Sequence, residues 1–222
     1  MDEFKEEREK IKNASPEKKW KYFKDYYLKW VIAIGIIILV LIIFTVDMLT
    51  KKENMLTVCF VNMADRGGLR TDIEDVFMEQ YLENPKKQEI TIETGMYLKS
   101  ADTDNSMAYN FQHEQRFSML LMAGELDLNI TEESFILDLA KQEYVVPLAQ
   151  VFTEEELKVY EDQGRVICLG DVPVAIDMSG SALIKENLEY KGKSAENATI
   201  CAAFSSLKRL EMAKKMLKFL DK

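Results

Sequence analysis

Seventeen consecutive residues, Trp30 to Val46, carry no charge. A helix at the surface of a soluble protein needs a polar face to meet water, and this stretch has none. Its length is near the lower end of the roughly 17–25 residues that a membrane-spanning helix uses, so a transmembrane helix is expected. Tyr26, Tyr27 and Trp30 stand where an aromatic belt meets the headgroups, and Lys29 can extend its ammonium toward water. Lys18, Lys19, Lys21, Lys24 and Lys29 crowd the front of the run, whereas only Lys51 and Lys52 follow it closely. The positive-inside bias therefore predicts a cytoplasmic N-terminus and an extracytoplasmic C-terminal domain at the cell membrane, in a single pass.

A cleavable secretory signal has an apolar region of about 7–15 residues that ends in small residues of A-x-A type. Thr45-Val46-Asp47-Met48 offers no such site, and a lipid-modified Cys is not available there because the first cysteine is Cys59. The expectation is an uncleaved signal anchor. The chain then divides into a cytoplasmic arm at 1–29, the anchor at 30–46, a linker at 47–54 and an extracytoplasmic domain at 55–222. Within the arm, Ser15-Pro16 reads as an N-cap followed by proline at the first helical position. Trp20, Tyr22, Phe23, Tyr26 and Tyr27 recur at spacings of three and four, as in an amphipathic helix at the inner leaflet.

Charge narrows the function classes. The whole chain carries −9, residues 1–29 carry +2, and the remainder therefore carries −11. Such a balance opposes a phosphate backbone and excludes nucleic acid as an expected partner. Cys59, Cys168 and Cys201 each lie in an apolar stretch and are expected as buried free thiols. A disulfide among them needs two of those strands adjacent in space. No Cys-x-x-Cys pair exists to build a zinc ribbon.

Beyond the linker, β-forming runs alternate with helical ones. Leu56 to Val61 reads as a buried strand, followed by the turn-prone Ala64-Asp65-Arg66-Gly67-Gly68. Ile73, Val76, Phe77, Tyr81 and Leu82 fall at helical spacing, and Asn84-Pro85 stops that helix. Glu89 to Glu93 alternates as a strand. After a polar loop from Leu98 to Asn105, Met107, Phe111, Phe117, Leu120 and Leu121 trace a helix face that ends at Gly124. Leu126 to Ile130 is a third strand, and Phe135, Ile136, Leu139 and Ala140 mark the next helix. Thr153 with Glu156 predicts a capping box. Val166 to Leu169 and Val172 to Ile176, joined by Gly170-Asp171, predict a hairpin. Ser179-Gly180-Ser181 opens a short helix, and a polar loop leads to a last strand, Thr199 to Phe204. The final helix carries Leu207, Leu210, Ala213, Leu217 and Leu220 on one face. This alternation predicts an α/β fold with a mostly parallel sheet and helices on both faces.

LLMAGELDLNI at 120–130 and SFILDLAKQEYVVPLAQVF at 134–152 resemble the type 2 periplasmic-binding fold of bacterial extracellular solute-binding proteins. The resemblance rests on an A-G-E-x-D step into a strand and on the segment Glu143-Tyr144-Val145-Val146-Pro147-Leu148. VPVAIDMSGSALIKENL adds an I-D-x-S-x-S signature. It covers residues 55–222 in outline and is similar to a small, membrane-anchored, truncated relative of clostridial type. It implies a ligand-binding lobe and a partner such as an ABC transporter or a sensor. About 27 residues between Val172 and Ala198 are too few for a full second lobe, so a single lobe with a reduced second one is expected.

Ligands of open α/β sheets bind beyond the carboxyl ends of the strands. The loop after the first strand is therefore the first candidate site. Asn62, Asp65 and Arg66 supply polar groups there, Arg66 for a carboxylate or phosphate and Asp65 for an amine or cation, while Gly67 and Gly68 allow close backbone approach. Gly95 after the second strand, together with Ser179 and Ser181, are weaker candidates of the same kind. Asp127 lies at the amino end of its strand and is expected to cap or orient backbone. His113, with no second His or Cys nearby, is expected as a surface residue rather than a metal ligand. Walker A, G-x-G-x-x-G, H-E-x-x-H and G-x-S-x-G patterns are all absent, and Ser15-Pro16-Glu17-Lys18 matches S-x-x-K only formally. No catalytic residue, metal or cofactor is expected. The functional expectation is a membrane-tethered, non-enzymatic domain resembling solute-binding proteins, which binds a small ligand or a transporter or sensor partner. The alternative is a structural or interaction module of the cell envelope that has lost the ligand cleft.

Overall fold

The computed structural model describes residues 15–98, 107–191 and 197–221. Residues 1–14 of the arm, most of the loop expected at 98–105 and residues 192–196 of the loop before the last strand lie outside the described residues. Two units are present, one ending at Lys51 and the other beginning at Lys52.

The first unit is one helix, α1 (Pro16–Thr50), with a single π-helical turn at Phe23–Tyr27. Ser15 stands at its N-cap and Pro16 at its first position, although the Ser15 side chain makes no capping bond. The aromatic residues before the apolar stretch stack along the helix, Trp20 on Phe23 at 5.7 Å and Tyr22 on Tyr26 at 4.6 Å. None of the 23 residues of Leu28–Thr50 is buried. At 1.5 Å per residue that segment measures about 35 Å, enough for a hydrocarbon core of about 30 Å. Its two threonines return their hydroxyls to the helix, Thr45 to Leu41 O and Thr50 to Val46 O, at 2.7 Å each, so neither presents a free polar group. The helix is a candidate membrane span.

The second unit is α/β. Its six-stranded sheet has the order β3-β1-β4-β8-β6-β5. These strands are β1 (Glu53–Val61), β3 (Gln88–Met96), β4 (Leu128–Glu132), β5 (Val166–Leu169), β6 (Val172–Asp177) and β8 (Ile200–Phe204). β1 pairs in parallel with both β3 and β4. The remaining pairings, β4 with β8, β8 with β6 and β6 with β5, are antiparallel. The sheet is thus mixed, with a parallel core around β1 and an antiparallel half where a mostly parallel sheet was expected. For β5 and β6 the physical reason is connection length: a two-residue link at Gly170-Asp171 permits only an antiparallel return. Gly170 has φ of 62° while Asp171 does not share that region, as a II′ turn requires.

Alternation along β1 sends Leu56, Val58 and Phe60 into one core and Cys59 and Val61 into another. The first core is closed by the helical segment α2, formed by Leu69–Asp72, Ile73–Phe77 and Met78–Tyr81, and by α5 (Leu148–Val151), α6 (Glu154–Asp162) and α8 (Leu210–Leu220). Phe77 of α2 meets Phe219 of α8 edge to face at 5.3 Å. α3 (Met107–Met122) and α4 (Glu133–Lys141) cover the opposite face through Phe117, Ile136 and Leu139. With helices on both sides, β1 is buried on both faces, which is why it reads as an unbroken apolar run.

A small antiparallel ribbon joins β2 (Met63–Asp65) to β7 (Leu188–Tyr190), which follows α7 (Ala182–Asn187). The predicted capping box is present at the start of α6. Thr153 Oγ1 accepts from the Glu156 amide at 3.2 Å, and Glu156 Oε2 accepts from the Thr153 amide at 3.1 Å. Cys59 and Cys201 are buried free thiols as expected, and burial pushes both well above the usual thiol range. Cys168 departs from expectation. It is free and exposed, because it lies on β5, the edge strand of the sheet.

A candidate ligand cleft between α3 and α4

The chain leaves β1 for α2 on one face of the sheet and leaves β4 for α4 on the other. Neighbouring parallel strands whose connections diverge in this way open a crevice at their carboxyl ends. Asn62 stands at that end of β1, and Glu132 at that end of β4.

Asn62 is fully buried with φ of 58°, in the left-handed region that asparagine tolerates better than most residues. Its amide donates to Met96 O at 3.0 Å and its carbonyl accepts from the Lys191 amide at 2.8 Å. Its Oδ1 accepts from the Leu98 amide, also at 2.8 Å. One residue earlier, the Tyr97 amide donates to His113 Nδ1 at 3.0 Å. His113 is half-buried and fastens the end of β3 to α3, a positioning role rather than the free surface residue expected. Arg116 pairs with Glu93 and secures the same helix over the same strand.

The other proposed loop residues also have internal partners. Asp65 caps the turn into α2, with Oδ1 accepting from the Gly67 amide at 2.8 Å and Oδ2 from the Arg70 amide at 3.3 Å. Arg66 lies 3.8 Å from Glu189 across the ribbon in an exposed pair. Gly67 has φ of 101°, and a Cβ on Gly68 would fall 1.9 Å from Asn187 Oδ1. The close approach expected at Gly68 is thus to α7. Ser179 Oγ accepts from the Ile200 amide at 3.0 Å. Ser181 is the N-cap of α7, accepting from the Ile184 amide at 3.0 Å and donating to Leu220 O at 2.5 Å. Gly95 has φ of 70° within β3. Asp127 behaves as expected: it is buried and orients backbone, with Oδ2 2.8 Å from the Thr57 amide and 2.7 Å from Arg209 Nε.

The cleft itself lies beside this loop. A cavity of about 520 Å³ opens between α3 and α4 and is bounded by Leu98 and by Glu132. That volume falls within the range of small-molecule pockets, about 300–1,000 Å³. Phe117 of α3 and Phe135 of α4 form its apolar part, their ring centroids 5.8 Å apart at 57°. Tyr144, Glu114 and Asp138 also line it. Glu132 is only 5% exposed. It neighbours the Tyr190 phenol, whose pKa is driven far above its usual value, first by burial and then by that carboxylate.

None of the seven residues read as ligand contacts from the sequence lines this cleft. Asn62 is linked to it through the Leu98 amide. Phe117 and Phe135 were legible as helix-face residues, but the gap between their helices was not. The acidic lining had no signal of its own, since Glu114, Glu132 and Asp138 are separated in sequence by 18 and 6 residues. Among the described residues, no group of three or more His, Cys, Asp or Glu side chains is placed to hold a metal ion. Comparison with protein-family models, with curated proteins and with solved structures finds no match for the chain.

Proposed function

We propose that this chain is a membrane-tethered binding protein, whose extracytoplasmic α/β unit holds a small molecule in the cleft between α3 and α4 without a chemical step. The carrying observation is the 520 Å³ cavity bounded by Glu132 at the carboxyl end of β4. Parallel strands β1 and β4 place that end at a switch point of the sheet, where α/β folds gather their ligands. The resemblance to type 2 periplasmic-binding domains fits a single reduced lobe. The β2–β7 ribbon comes from the two places where the chain departs from the main sheet, after β1 and between β6 and β8. Retention of α1 as the anchor, with the unit outside, follows from the lysine asymmetry around the apolar run.

The test is a thermal-shift screen of the full chain in detergent micelles against amino acids, sugars, peptides and oxyanions. Ser118 is exposed and lines the cleft, so Ser118→Trp fills the mouth without entering either core. A saturable stabilising ligand lost in Ser118→Trp supports the reading. A screen with no response, or a response indifferent to that substitution, removes it. Orientation is read separately by labelling intact cells with a membrane-impermeant maleimide, which reaches exposed Cys168 only if the unit lies outside.

An interaction module for another envelope protein is the second reading. It is favoured by Phe111, Met119 and Met122, which are 65%, 57% and 79% exposed and share one side of α3. Photo-crosslinking from position 122 in native membranes, with and without Phe111→Ser, tests it.

A further inference from the structure

We propose that the amino-terminal part of α1, residues 16–29, gathers anionic phospholipids around the anchor, with its lysines as the sites for their phosphodiester headgroups. This rests on the reading of α1 as a membrane span and goes further by naming the lipid charge that the helix prefers. Over residues 15–29 five lysines, Lys18, Lys19, Lys21, Lys24 and Lys29, stand against two acids, Glu17 and Asp25, for a net charge of +3. Among the described residues none of the five lysines takes part in an ion pair. Their charge is turned outward, toward an anion that the chain itself does not supply.

The helix sets these lysines beside a continuous aromatic side. Trp20 stacks on Phe23 at 5.7 Å, Phe23 on Tyr27 at 6.3 Å and Tyr22 on Tyr26 at 4.6 Å. Trp20, Tyr26 and Tyr27 are 59%, 63% and 47% exposed. Rings of this kind settle at a bilayer interface, where they hold the helix at the level of the headgroups. Lys18, Lys21 and Lys24 recur every three residues along a neighbouring side. At 1.5 Å per residue Lys24 precedes Trp30 by about 9 Å and Lys18 by about 18 Å. The ammonium groups are thus spread through the headgroup layer, about 5–8 Å deep, and roughly one Debye length beyond it. At the other end of the span only Lys51 and Lys52 stand close, followed directly by Glu53. An acidic protein segment would meet the lysines and leave the rings without an apolar partner. An anionic phospholipid meets both, with phosphate for the ammonium groups and glycerol and acyl surface for the rings.

The experiment is electron spin resonance of the full chain reconstituted in phosphatidylcholine vesicles, with a trace of either phosphatidylglycerol or phosphatidylcholine spin-labelled near the chain end. Lipids that touch the protein give a motionally restricted component, whose size yields a relative association constant. The phosphatidylglycerol label is expected to associate at least about threefold more strongly than the phosphatidylcholine label at low salt. Sodium chloride at about 1 M, where the Debye length is about 3 Å, is expected to bring the ratio close to one. The combined variant Lys18→Gln, Lys19→Gln, Lys21→Gln and Lys24→Gln, all at exposed positions, is expected to lose most of the preference even at low salt. Lys51→Gln with Lys52→Gln is expected to keep most of it.

Equal association of the two labels at low salt overturns the inference, and a restricted component from both then leaves the span standing. A preference that persists in the four-lysine variant, or that is lost in Lys51→Gln with Lys52→Gln instead, also overturns it, because the selection then lies elsewhere on the chain. If neither label shows a restricted component, α1 does not lie in the bilayer and the anchor reading falls as well.

Discussion

Asp127 Oδ2 lies 2.7 Å from Arg209 Nε, and this buried pair fastens the amino ends of β1 and β4 to the start of α8. The same carboxylate oxygen accepts from the Thr57 amide, and Arg209 also donates to Glu125 O at 2.7 Å. Removing one member strands the other in a poorly solvated place, which typically costs about 3–5 kcal/mol. Asp127→Ala and Arg209→Ala are each expected to destabilise the second unit by about that amount, with the double variant well short of their sum. Urea denaturation followed by circular dichroism checks this, and strict additivity would falsify the coupling.

Gly68 and Asn187 form a second long-range pair. A Cβ on Gly68 would collide with Asn187 Oδ1, while the Asn187 amide nitrogen donates to Leu183 O at 3.0 Å. Gly68→Ala is expected to cost about 1–3 kcal/mol, the usual range for overpacking. In an Asn187→Ala background the cost should fall below about 1 kcal/mol. An unchanged cost in that background means the collision is not the cause.

The three thiols should separate cleanly in a reagent count. Cys59 and Cys201 are buried and hard to ionise, whereas Cys168 is exposed. One thiol per chain is expected to react with a maleimide in the native protein and three in denaturant. A native count of zero contradicts the exposure of Cys168 on the edge strand, and a count above one, or labelling that survives Cys168→Ser, contradicts the burial of Cys59 and Cys201.

Acid stability should depend on Glu156. Its carboxyl is held below the usual range, first by the Lys214 ammonium at 2.7 Å and then by the Thr153 amide. A carboxyl whose folded pKa is depressed binds its proton more readily in the unfolded chain. Its stabilisation is therefore present above about pH 4.5 and lost as pH falls through the folded value. Glu156→Gln is expected to cost about 1 kcal/mol at pH 7 and almost nothing at an acid pH below the folded value, where the parent carboxyl is also neutral. Melting curves at the two pH values decide it. A deficit of equal size at both would assign the loss to shape rather than charge.

Both core clusters are built from residues beyond Lys52. A chain beginning at Lys52 is therefore expected to unfold cooperatively and without detergent. Calorimetry of that fragment checks it, and a broad transition lacking a heat-absorption peak would show that α1 is needed for the fold.

Much of the local structure was legible because it depends on neighbours in the chain. Thr153 and Glu156 are three residues apart, so their capping box needs only one helical turn. Gly170-Asp171 sets a hairpin by its shortness, and Gly124, at φ of 61°, ends α3 as its side-chain-free backbone allows. Cys168 was misplaced because an apolar run reads alike on an inner strand and an edge strand. Strand order, not strand composition, decides which thiol meets solvent. The direction of the last strands was likewise hidden, since β8 inserts between β4 and β6, partners far apart in the sequence.

The candidate site shows the same division. Asp65, Gly67 and Gly68 stood out as turn formers and are turn formers, engaged with Arg70, α2 and Asn187 rather than lining the cavity. Nothing in the sequence placed Glu114 and Asp138 around one cavity, because their approach depends on how α3 and α4 pack over one face of the sheet. The chain's own periodicity determined its apolar helix, its alternation of strands and helices, and its capping and turn chemistry, all set by interactions within a few residues. Only the tertiary structure decided the order of the strands, the edge exposure of Cys168 and the acidic, aromatic cleft. Those depend on side chains brought together from distant positions by burial, a force with no preferred direction until the layers have packed.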